Sequence, residues 1–592
     1  MAQYLGVSQI ETDSVSVTGG VCGPGVDSAN THLTFDLPLR TSLVPKYCRG
    51  SGTPTFTRAS NAYVQDHEGI LRLCKSGEAR FHGARRVRNY LLSSFVQEAG
   101  VAGWSAYAGS TYSVTTGIDD PRGGTDARRV TLLTGAPYSG FLASVSGSPL
   151  YANGESGVSS AWFRAPSGTL NIQLYAQGTD NVRTELTIDA TWRRYASTPA
   201  DDSGKSLYWI VGFADGAGGI LDVFEPQLEN VSGQSNQAPA EYVSAGVLSA
   251  PYHGANVDGV KYFGTENGNS LVGNVVVEAT GAAIAEDTLK GYTSEGQRTN
   301  RCLYSEDFSN AAWVKSNVTV TANSTTAPDG TTTADTLTAT GANATCIQDL
   351  GVVASAKKTG SVWIKRKTGT GNIQLTMDGG AGWTTVTVTS SWVRFDLSQT
   401  LVDEDFGIRL VTNGDEVYVW GAQVEQDLIA GSISWATSYI ATSGASVTRN
   451  VDNLYYAGTG NISALNGTSF CEFYAYSGSR YNSRAIGVGS NSPLTINGIV
   501  SIYDGGNSVV AWPAVDTILK GASIWADGGN KQSFCNGVGS TANAFAGFTF
   551  SNLNIGGSGS DETASTPIRN VRIWSAVMPI RPDGTVASQI SG

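Results

Sequence analysis

Charged residues and metal-binding side chains are scarce in this sequence. Charged residues make up 15% of the 592 residues, whereas a typical soluble protein has about 25%. None of the four histidines lies at helical spacing from another, so the ligand pattern of a zinc site is missing. The seven cysteines are odd in number and scattered, with no CxxC pair, and we expect mostly buried thiols. We therefore expect no metal site and no cofactor.

Long apolar runs and early basic residues are also missing. No apolar run reaches the roughly 18 residues of a membrane-spanning helix. The first basic residue is Arg40, so the chain does not open like a secretory signal. The formal net charge is −12, which repels the phosphates of nucleic acids and anionic lipids. We expect no membrane insertion and no binding to nucleic acid.

Glycine and short alternating segments are abundant. The 72 glycines are about 12% of the chain, against an average of about 7%, and they suit the tight turns of β-proteins. Segments such as Glu416–Trp420 alternate polar and apolar residues, which is the period of a half-buried strand. At roughly 150 residues per domain, the length allows about four folding units.

An internal repeat divides the middle of the chain. The segments Ala161–Leu174 and Val362–Leu375 each contain a tryptophan, a glycine and an Asn-Ile-Gln-Leu run at identical spacing. Both copies close on a tyrosine, Tyr242 in the first and Tyr439 in the second. Two sheets that share one core are the simplest arrangement for short strands of this pattern, so each copy predicts a jelly-roll β-sandwich.

We therefore predict an all-β fold of tandem jelly-roll β-sandwiches with an extended N-terminal arm. The cluster of arginines in Arg80–Arg88 is interpreted as a solvated part of a connector. The predicted units are an N-terminal arm and connector (1–88), β-sandwich 1 (89–246), a connector (247–299), β-sandwich 2, homologous to the first (300–446), and a different C-terminal β unit (447–592).

The sequence contains no motif of a reactive centre. The GxSxG pentapeptide of a nucleophile elbow does not occur. The glycine-rich segment Gly379–Gly382 leads into a strand-like run rather than into a phosphate-binding helix. The acidic run Asp403–Asp405 is interpreted as a solvated turn. We predict no catalytic residues and no enzymatic activity.

Tryptophan is the residue type that suits sugar binding, since its ring stacks on the apolar face of a pyranose. Trp383 follows a glycine-rich turn, Trp512 lies in the segment Val510–Pro513, and neither recurs in both copies. These two are the candidate carbohydrate-binding residues. The tryptophans at strand-like positions are expected in the core instead: Trp162, Trp192, Trp363, Trp392 and Trp420.

Several segments resemble tailed-bacteriophage virion proteins. Some resemble the openings of their carbohydrate-binding-module-like sandwiches and the stretch before them, and the C-terminal unit is similar to their laminin-G/concanavalin-A-like domain. The first copy departs from the family pattern, because Phe224–Pro226 stands where Trp-Gly-Ala is usual. The segments are Phe56–Val64, Glu68–Arg72, Gly259–Thr265, Gly291–Asn300, Tyr304–Trp313, Ile524–Gly529, Leu553–Gly557 and Ile568–Trp574.

The resemblance implies a non-enzymatic phage structural protein, a tail fibre or receptor-binding appendage. It implies a homotrimer that attaches to other virion proteins through its N-terminal arm and presents its sandwiches to a host-surface glycan. Its location would be the virion, assembled in the bacterial host cytoplasm. Two alternatives remain open, a head fibre or decoration protein without a ligand, and a glycan-cleaving tailspike.

Overall fold

A computed structural model describes most of the chain from residue 32 onward. The described residues are 32–39, 43, 45–144, 156–175, 183–201, 208–214, 218–232, 234–245, 260–263, 267–279, 288–426, 436–475, 483–488, 491–496, 499–504, 507–511, 517–548, 552–557, 567–578, 580, 583 and 585–586.

All the regular secondary structure in the described part of the chain consists of β-strands. The prediction of an all-β fold is confirmed. The described residues include no helix that is long and apolar enough to cross a membrane. The strands before the first sandwich are short: β1 (Leu33–Leu37), β2 (Tyr47–Cys48), β3 (Thr55–Thr57), β4 (Ala62–Gln65), β5 (Leu71–Cys74), β6 (Arg80–His82) and β7 (Arg85–Arg88).

Sandwich 1 consists of two antiparallel sheets that face each other. The first sheet has the order β15-β12-β18-β10-β9 and the second β14-β13-β17-β11-β8. Their inner faces bury Trp104, Phe141 and Trp209. The strands are β8 (Trp104–Tyr107), β9 (Thr111–Ile118), β10 (Ala127–Thr134), β11 (Gly140–Ser144), β12 (Ser156–Arg164), β13 (Leu170–Tyr175), β14 (Thr184–Ile188), β15 (Arg193–Ala196), β16 (Ala200–Asp201), β17 (Tyr208–Phe213) and β18 (Gly219–Asn230).

Short strands of the second connector pair with distant parts of the chain. β19 pairs with β7, β22 pairs with β6, and the β20–β21 hairpin extends the first sheet of sandwich 1 beyond β15. The connector strands are β19 (Val260–Phe263), β20 (Ser270–Val272), β21 (Val275–Val277), β22 (Gly291–Thr293) and β23 (Arg298–Asn300).

Sandwich 2 has the same two layers as sandwich 1, but two of its strands are long enough to belong to both layers. β27 and β30 each cross from one sheet to the other, with irregular pairing between Asp349 and Ala356 of β27. The strand order is β25-β26-β31-β27-β30-β28-β29, with β24 beside β27. The strands are β24 (Val314–Ser316), β25 (Val318–Thr325), β26 (Ala334–Ala339), β27 (Ala344–Thr368), β28 (Ile373–Thr376), β29 (Thr384–Val386), β30 (Val393–Leu410) and β31 (Glu416–Gln426).

Equivalent residues of the two sandwiches make equivalent buried hydrogen bonds. The amide of Asn89 donates to two backbone carbonyls at 3.0 Å, and the amide of Asn300 donates to two carbonyls at 3.0 and 2.7 Å. Arg194 and Arg394 each donate to a backbone carbonyl of the segment that closes their sandwich, at 2.8 and 2.6 Å. The sequence repeat is therefore also a structural repeat, because equivalent polar residues satisfy equivalent backbone groups.

The C-terminal sandwich also has two antiparallel sheets. Their orders are β2-β1-β44-β34-β39-β40-β41 and β3-β33-β43-β35-β36-β37-β38, and β32 pairs with β23. The strands are β32 (Val447–Arg449), β33 (Asn453–Ala457), β34 (Gly467–Ala475), β35 (Ser483–Val488), β36 (Asn491–Ile496), β37 (Ile499–Tyr503), β38 (Asn507–Ala511), β39 (Thr517–Trp525), β40 (Asn530–Cys535), β41 (Val538–Gly539), β42 (Asn543–Ala544), β43 (Asn552–Ile555) and β44 (Ile568–Trp574).

The structure differs from the predicted N-terminal arm, since β1, β2 and β3 belong to this C-terminal sandwich. Phe35 of β1 lies opposite Ile573 of β44, and Phe56 of β3 lies opposite Leu454 of β33. Phe35 is fully buried in the core of the sandwich. These strands satisfy the backbone groups of strands more than 390 positions away, a pairing that the local sequence does not reveal. Residues 1–31 lie outside the described residues.

A buried ionic network joins the N-terminal segment, the second connector and the start of the C-terminal unit. Arg58 binds Asp452 at 2.7 Å, and Arg80 binds both Asp452 and, at 2.7 Å, Glu295. Arg449 binds the same Glu295 at 2.9 Å. The side chains in this network are at most 6% exposed. Each charge is therefore compensated inside the protein rather than by water.

The arginines between Arg80 and Arg88 are not solvated as predicted. Arg85 is buried and binds Glu241, while Arg86 binds Glu78 at 2.7 Å. The interpretation was wrong because acidic partners lie beside these arginines, Glu78 from the same segment and Glu241 from the end of sandwich 1.

Most of the described cysteines are buried thiols, as expected. Burial raises the pKa of Cys535 to about 11, which keeps its thiol protonated at neutral pH. Cys48 is the exception to the expectation, since it takes part in a disulfide. The buried thiols are Cys74, Cys302, Cys346, Cys471 and Cys535.

The variant Asp452→Asn tests the ionic network. We expect a loss of about 3–5 kcal/mol in the free energy of unfolding, because the buried guanidinium of Arg58 loses its charge partner and that of Arg80 loses one of its two. Burial by itself would raise the pKa of Asp452, but Arg80 and Arg58 hold it below its ordinary value. The stabilisation is therefore present above about pH 4 and is lost as the pH falls through the folded pKa. Urea unfolding at pH 7 and pH 3 measures both effects.

A matched control for this variant is Lys367→Gln, which removes the charge of a side chain that is 36% exposed. The control should unfold close to the wild type. Equal stability of Asp452→Asn and the control would contradict the role of the network.

Glu229 in sandwich 1 predicts an opposite dependence on pH. Its carboxyl group accepts the backbone N–H of Ala240 at 3.1 Å, and burial raises its pKa to about 7 although Arg194 opposes the shift. Because this pKa is raised, the contribution of Glu229 to stability is complete below about pH 4.5 and is lost as the pH rises through 7. Glu229→Gln keeps a neutral side chain, so its melting temperature should exceed that of the wild type at pH 8 and match it at pH 4.5. A difference that is the same at both pH values would refute this assignment.

Candidate functional site

Trp383 lies on the loop that joins β28 to β29, at the outer face of the layer that contains β28, β29 and the end of β30. Asp378 accepts a hydrogen bond from the backbone N–H of Gly382 at 2.8 Å, and the hydroxyl of Thr376 accepts one from Gly380 at 3.0 Å. Gly380 has a φ of 97°, a conformation that other residues rarely adopt. The loop that positions Trp383 is therefore held by its own hydrogen bonds.

The indole of Trp383 stacks on an arginine of the neighbouring strand. The guanidinium of Arg409 lies 4.3 Å from the ring centroid. Its Nε donates to Gln374 at 2.7 Å, and Gln374 donates to Thr385 at 3.0 Å. These four residues form what we call the Trp383 face. The indole is half-buried, so part of it remains accessible to a ligand.

Four carboxylates lie beside the Trp383 face. Asp349 is opposite Asp405 on the neighbouring strand, Asp378 also bridges to Asp405, and Asp403 lies two positions before it. Oxygen atoms of Asp349, Asp403 and Asp405 all lie within 4.8 Å of one another. Burial, together with repulsion from Asp349 and Asp403, raises the pKa of Asp405. Burial would also raise the pKa of Asp378, but the backbone N–H of Gly382 and other donors lower it.

The acidic run Asp403–Asp405 is part of a strand, so its interpretation as a solvated turn was wrong. Glu404 is fully buried and binds Lys358 and, at 2.6 Å, Arg301. Its two neighbours point to the opposite side of β30, as strand geometry requires. The run looked like a turn because the two cations that compensate Glu404 come from distant segments.

The structure separates the predicted tryptophans. Trp420 is buried against Tyr439, with 4.6 Å between the ring centroids, and Tyr63 of the β4–β5 hairpin covers this cluster. Trp363 is buried in the same cluster, as expected. Three others are half-buried only, namely Trp162, Trp192 and Trp392. The candidate Trp512 lies outside the described residues.

Sandwich 1 has a different set of side chains at the position of the Trp383 face. Gly212 takes the place of Arg409 in the strand register. Tyr138 is 40% exposed, and the guanidinium of Arg183 lies 5.9 Å from its ring centroid. Tyr107 lies on β8 at the edge of the same sheet. The sequence analysis missed these tyrosines, because tyrosine is common in cores and only the strand register brings them to one face.

Comparisons with known proteins add little to this geometry. No family model matches the chain, and no curated protein matches it. A solved tandem of CBM22-1 and CBM22-2 from Paenibacillus barcinonensis Xyn10C is 11% identical, covering 58% of this chain and 99% of that chain with a TM-score of 0.23. A Trypanosoma rangeli sialidase in complex with DANA is 9% identical, covering 89% and 97% with a TM-score of 0.16. Both scores are too low for a shared overall fold, so function is argued from the residues of this chain.

The variant Asp405→Asn tests the repulsion among the carboxylates. Because the pKa of Asp405 is raised, its ionised form costs stability that is recovered as the pH falls through the folded pKa. We expect the variant to melt at a higher temperature than the wild type at pH 7.5 in EDTA, and at the same temperature at pH 3. Thermal unfolding followed by circular dichroism measures both. A lower melting temperature of the variant at pH 7.5 would show that the carboxylate stabilises the fold.

Proposed function

We propose that this protein is a non-enzymatic bacteriophage virion protein, a tail fibre or receptor-binding appendage that presents its repeated sandwiches to host-surface glycans. The observation that supports glycan binding is the Trp383 face. A partly accessible indole can stack on the C–H face of a pyranose, and the amide of Gln374 can bind hydroxyl groups beside it. Since Arg409 and the loop already hold the ring, little side-chain entropy is lost on binding.

The role in a virion is supported by the sequence resemblance alone. Attachment to other virion proteins would use the N-terminal residues. Because β1 belongs to the C-terminal sandwich, such attachment would bring that sandwich next to the particle. A homotrimer would present several glycan sites at once and so raise the overall affinity. A head fibre or decoration protein would have the same domains but would not adsorb to host cells.

One observation favours a second candidate, a glycan-cleaving tailspike. Glycosidases use two carboxyl groups whose pKa values are pushed apart. Asp405 and Asp378 are adjacent, and the pKa is raised in the first and lowered in the second. We favour binding without cleavage, because the neighbouring Asp349 and Asp403 are exposed and this part of the surface is open to water.

The variant Trp383→Ala tests the proposed function. We expect an affinity for an immobilised neutral surface polysaccharide about tenfold lower than that of the wild type, because the stacking contact is lost. Surface plasmon resonance measures the affinity, and size-exclusion chromatography of the polysaccharide measures its length after incubation. The wild type should leave that length unchanged.

Tyr503→Ala provides a matched control, because Tyr503 is an exposed aromatic residue of the C-terminal sandwich. Its affinity should equal that of the wild type. Equal affinities of all three proteins would rule out the Trp383 face as the glycan site. Release of oligosaccharides that is abolished in Asp405→Asn would establish the tailspike instead.

A further inference from the structure

The first sheet of sandwich 1 has a tryptophan beside two arginines. This sheet is the one opposite the sheet that contains Tyr107 and Gly212. The guanidinium of Arg164 lies 4.7 Å from the centroid of the Trp192 ring. Arg164 and Arg129 both bind the buried carboxylate of Asp222 at 2.7 Å. Their side chains are 23% and 33% exposed. Together with Trp192, these three charged residues form what we call patch 1, which has one positive charge in excess.

Sandwich 2 has a similar group on the paired strands β27 and β31, which we call patch 2. The ammonium groups of Lys365 and Lys367 lie 5.8 and 5.7 Å from the ring centroid of Tyr418. The ring of Trp392 lies 6.5 Å from the same ring. Glu416 is 3.4 Å from the ammonium of Lys367, so one lysine charge is left in excess.

The strand register shows that the two patches are equivalent. Arg164 lies opposite Asp222 on β18, and Lys365 lies opposite Tyr418 on β31, at corresponding positions of the repeat. The residue opposite has changed from a carboxylate to a phenol, yet the cation has been kept. Packing explains why buried residues recur in both copies. It does not explain why a partly exposed cation beside an aromatic ring recurs, because the two cations have different partners.

We propose that patches 1 and 2 bind the anionic groups, carboxylate or sulfate, of an acidic polysaccharide. The cations would pair with these groups, and the rings of Trp192 and Trp392 would pack against the sugar. This inference rests on the proposed function, since it names a class of glycan that the sandwiches display. The Trp383 face is a poor site for such a ligand, because four carboxylates lie beside it and would repel an acidic sugar.

A nucleic acid is a less suitable ligand for these patches. Its affinity depends on neutralising many phosphates, whereas each patch has a single excess positive charge in a protein with a net charge of −12.

The experiment compares an oligogalacturonate with its methyl ester, which has the same sugar backbone without the charges. Isothermal titration calorimetry with the full-length protein in about 50 mM salt measures both affinities, and salt near 500 mM should weaken binding of the acid by screening. We expect Lys365→Gln combined with Lys367→Gln to weaken binding of the acid about threefold to tenfold. Lys520→Gln, which removes one charge from the C-terminal sandwich, should bind like the wild type. Thermal unfolding checks that the variants fold.

Three results would overturn the inference. They are equal binding of the acid by the lysine double variant and the wild type, equal binding of the methyl ester and the acid, and binding of a single-stranded DNA oligonucleotide as tightly as the acid. Loss of neutral-glycan binding in Trp383→Ala with no effect of the lysine changes would defeat this inference and leave the proposed function standing. Weaker binding of the acid in the lysine double variant with no effect of Trp383→Ala would support this inference and rule out the Trp383 face as a glycan site.

Discussion

The ion pairs of Asp452 and Glu295 with three arginines constrain the whole molecule. A buried carboxylate without a cation is too costly to persist, so Arg58, Arg80 and Arg449 must all reach the same place in the folded chain. These residues come from the N-terminal segment, the second connector and the segment after sandwich 2. Forming the network therefore brings together the points at which the chain enters and leaves the second sandwich.

The same closure explains the way the sandwiches are arranged. β1 and β3 complete the sheets of the C-terminal sandwich, so sandwiches 1 and 2 are inserted between strands of a third unit. The β4–β5 hairpin then lies against sandwich 2, where Tyr63 covers the Trp363 and Trp420 cluster, and Arg72 of the same hairpin reaches the carbonyl of Ser232 in sandwich 1. A domain that is held at several points presents its outer faces in a fixed orientation, which suits a protein that displays binding surfaces.

Different outer faces of one repeated sandwich show how a duplicated fold acquires distinct chemistry. The inner residues of both copies satisfy the same backbone groups through Asn89 and Asn300, so they cannot vary freely. The outer residues have no such constraint. Arg409 with its stacked tryptophan is replaced by Gly212 in the first copy. Thr385 of the second copy is replaced by Glu185. The proposed site for neutral glycans therefore belongs to the second copy, whereas the proposed patches for acidic glycans occur in both copies.

The sequence by itself determined the strand class, the duplication and the position of Trp383 next to a glycine-rich turn. These features depend on local period and on spacing, both of which are written along the chain. Only the tertiary structure decided that β1 is an interior strand, that Glu404 is buried, and that Arg409 lies under Trp383. The physical reason is that each of these features depends on a partner from elsewhere in the chain. The free energy of an ion pair, a stacked ring or a strand pairing is set by that partner and not by the sequence neighbours.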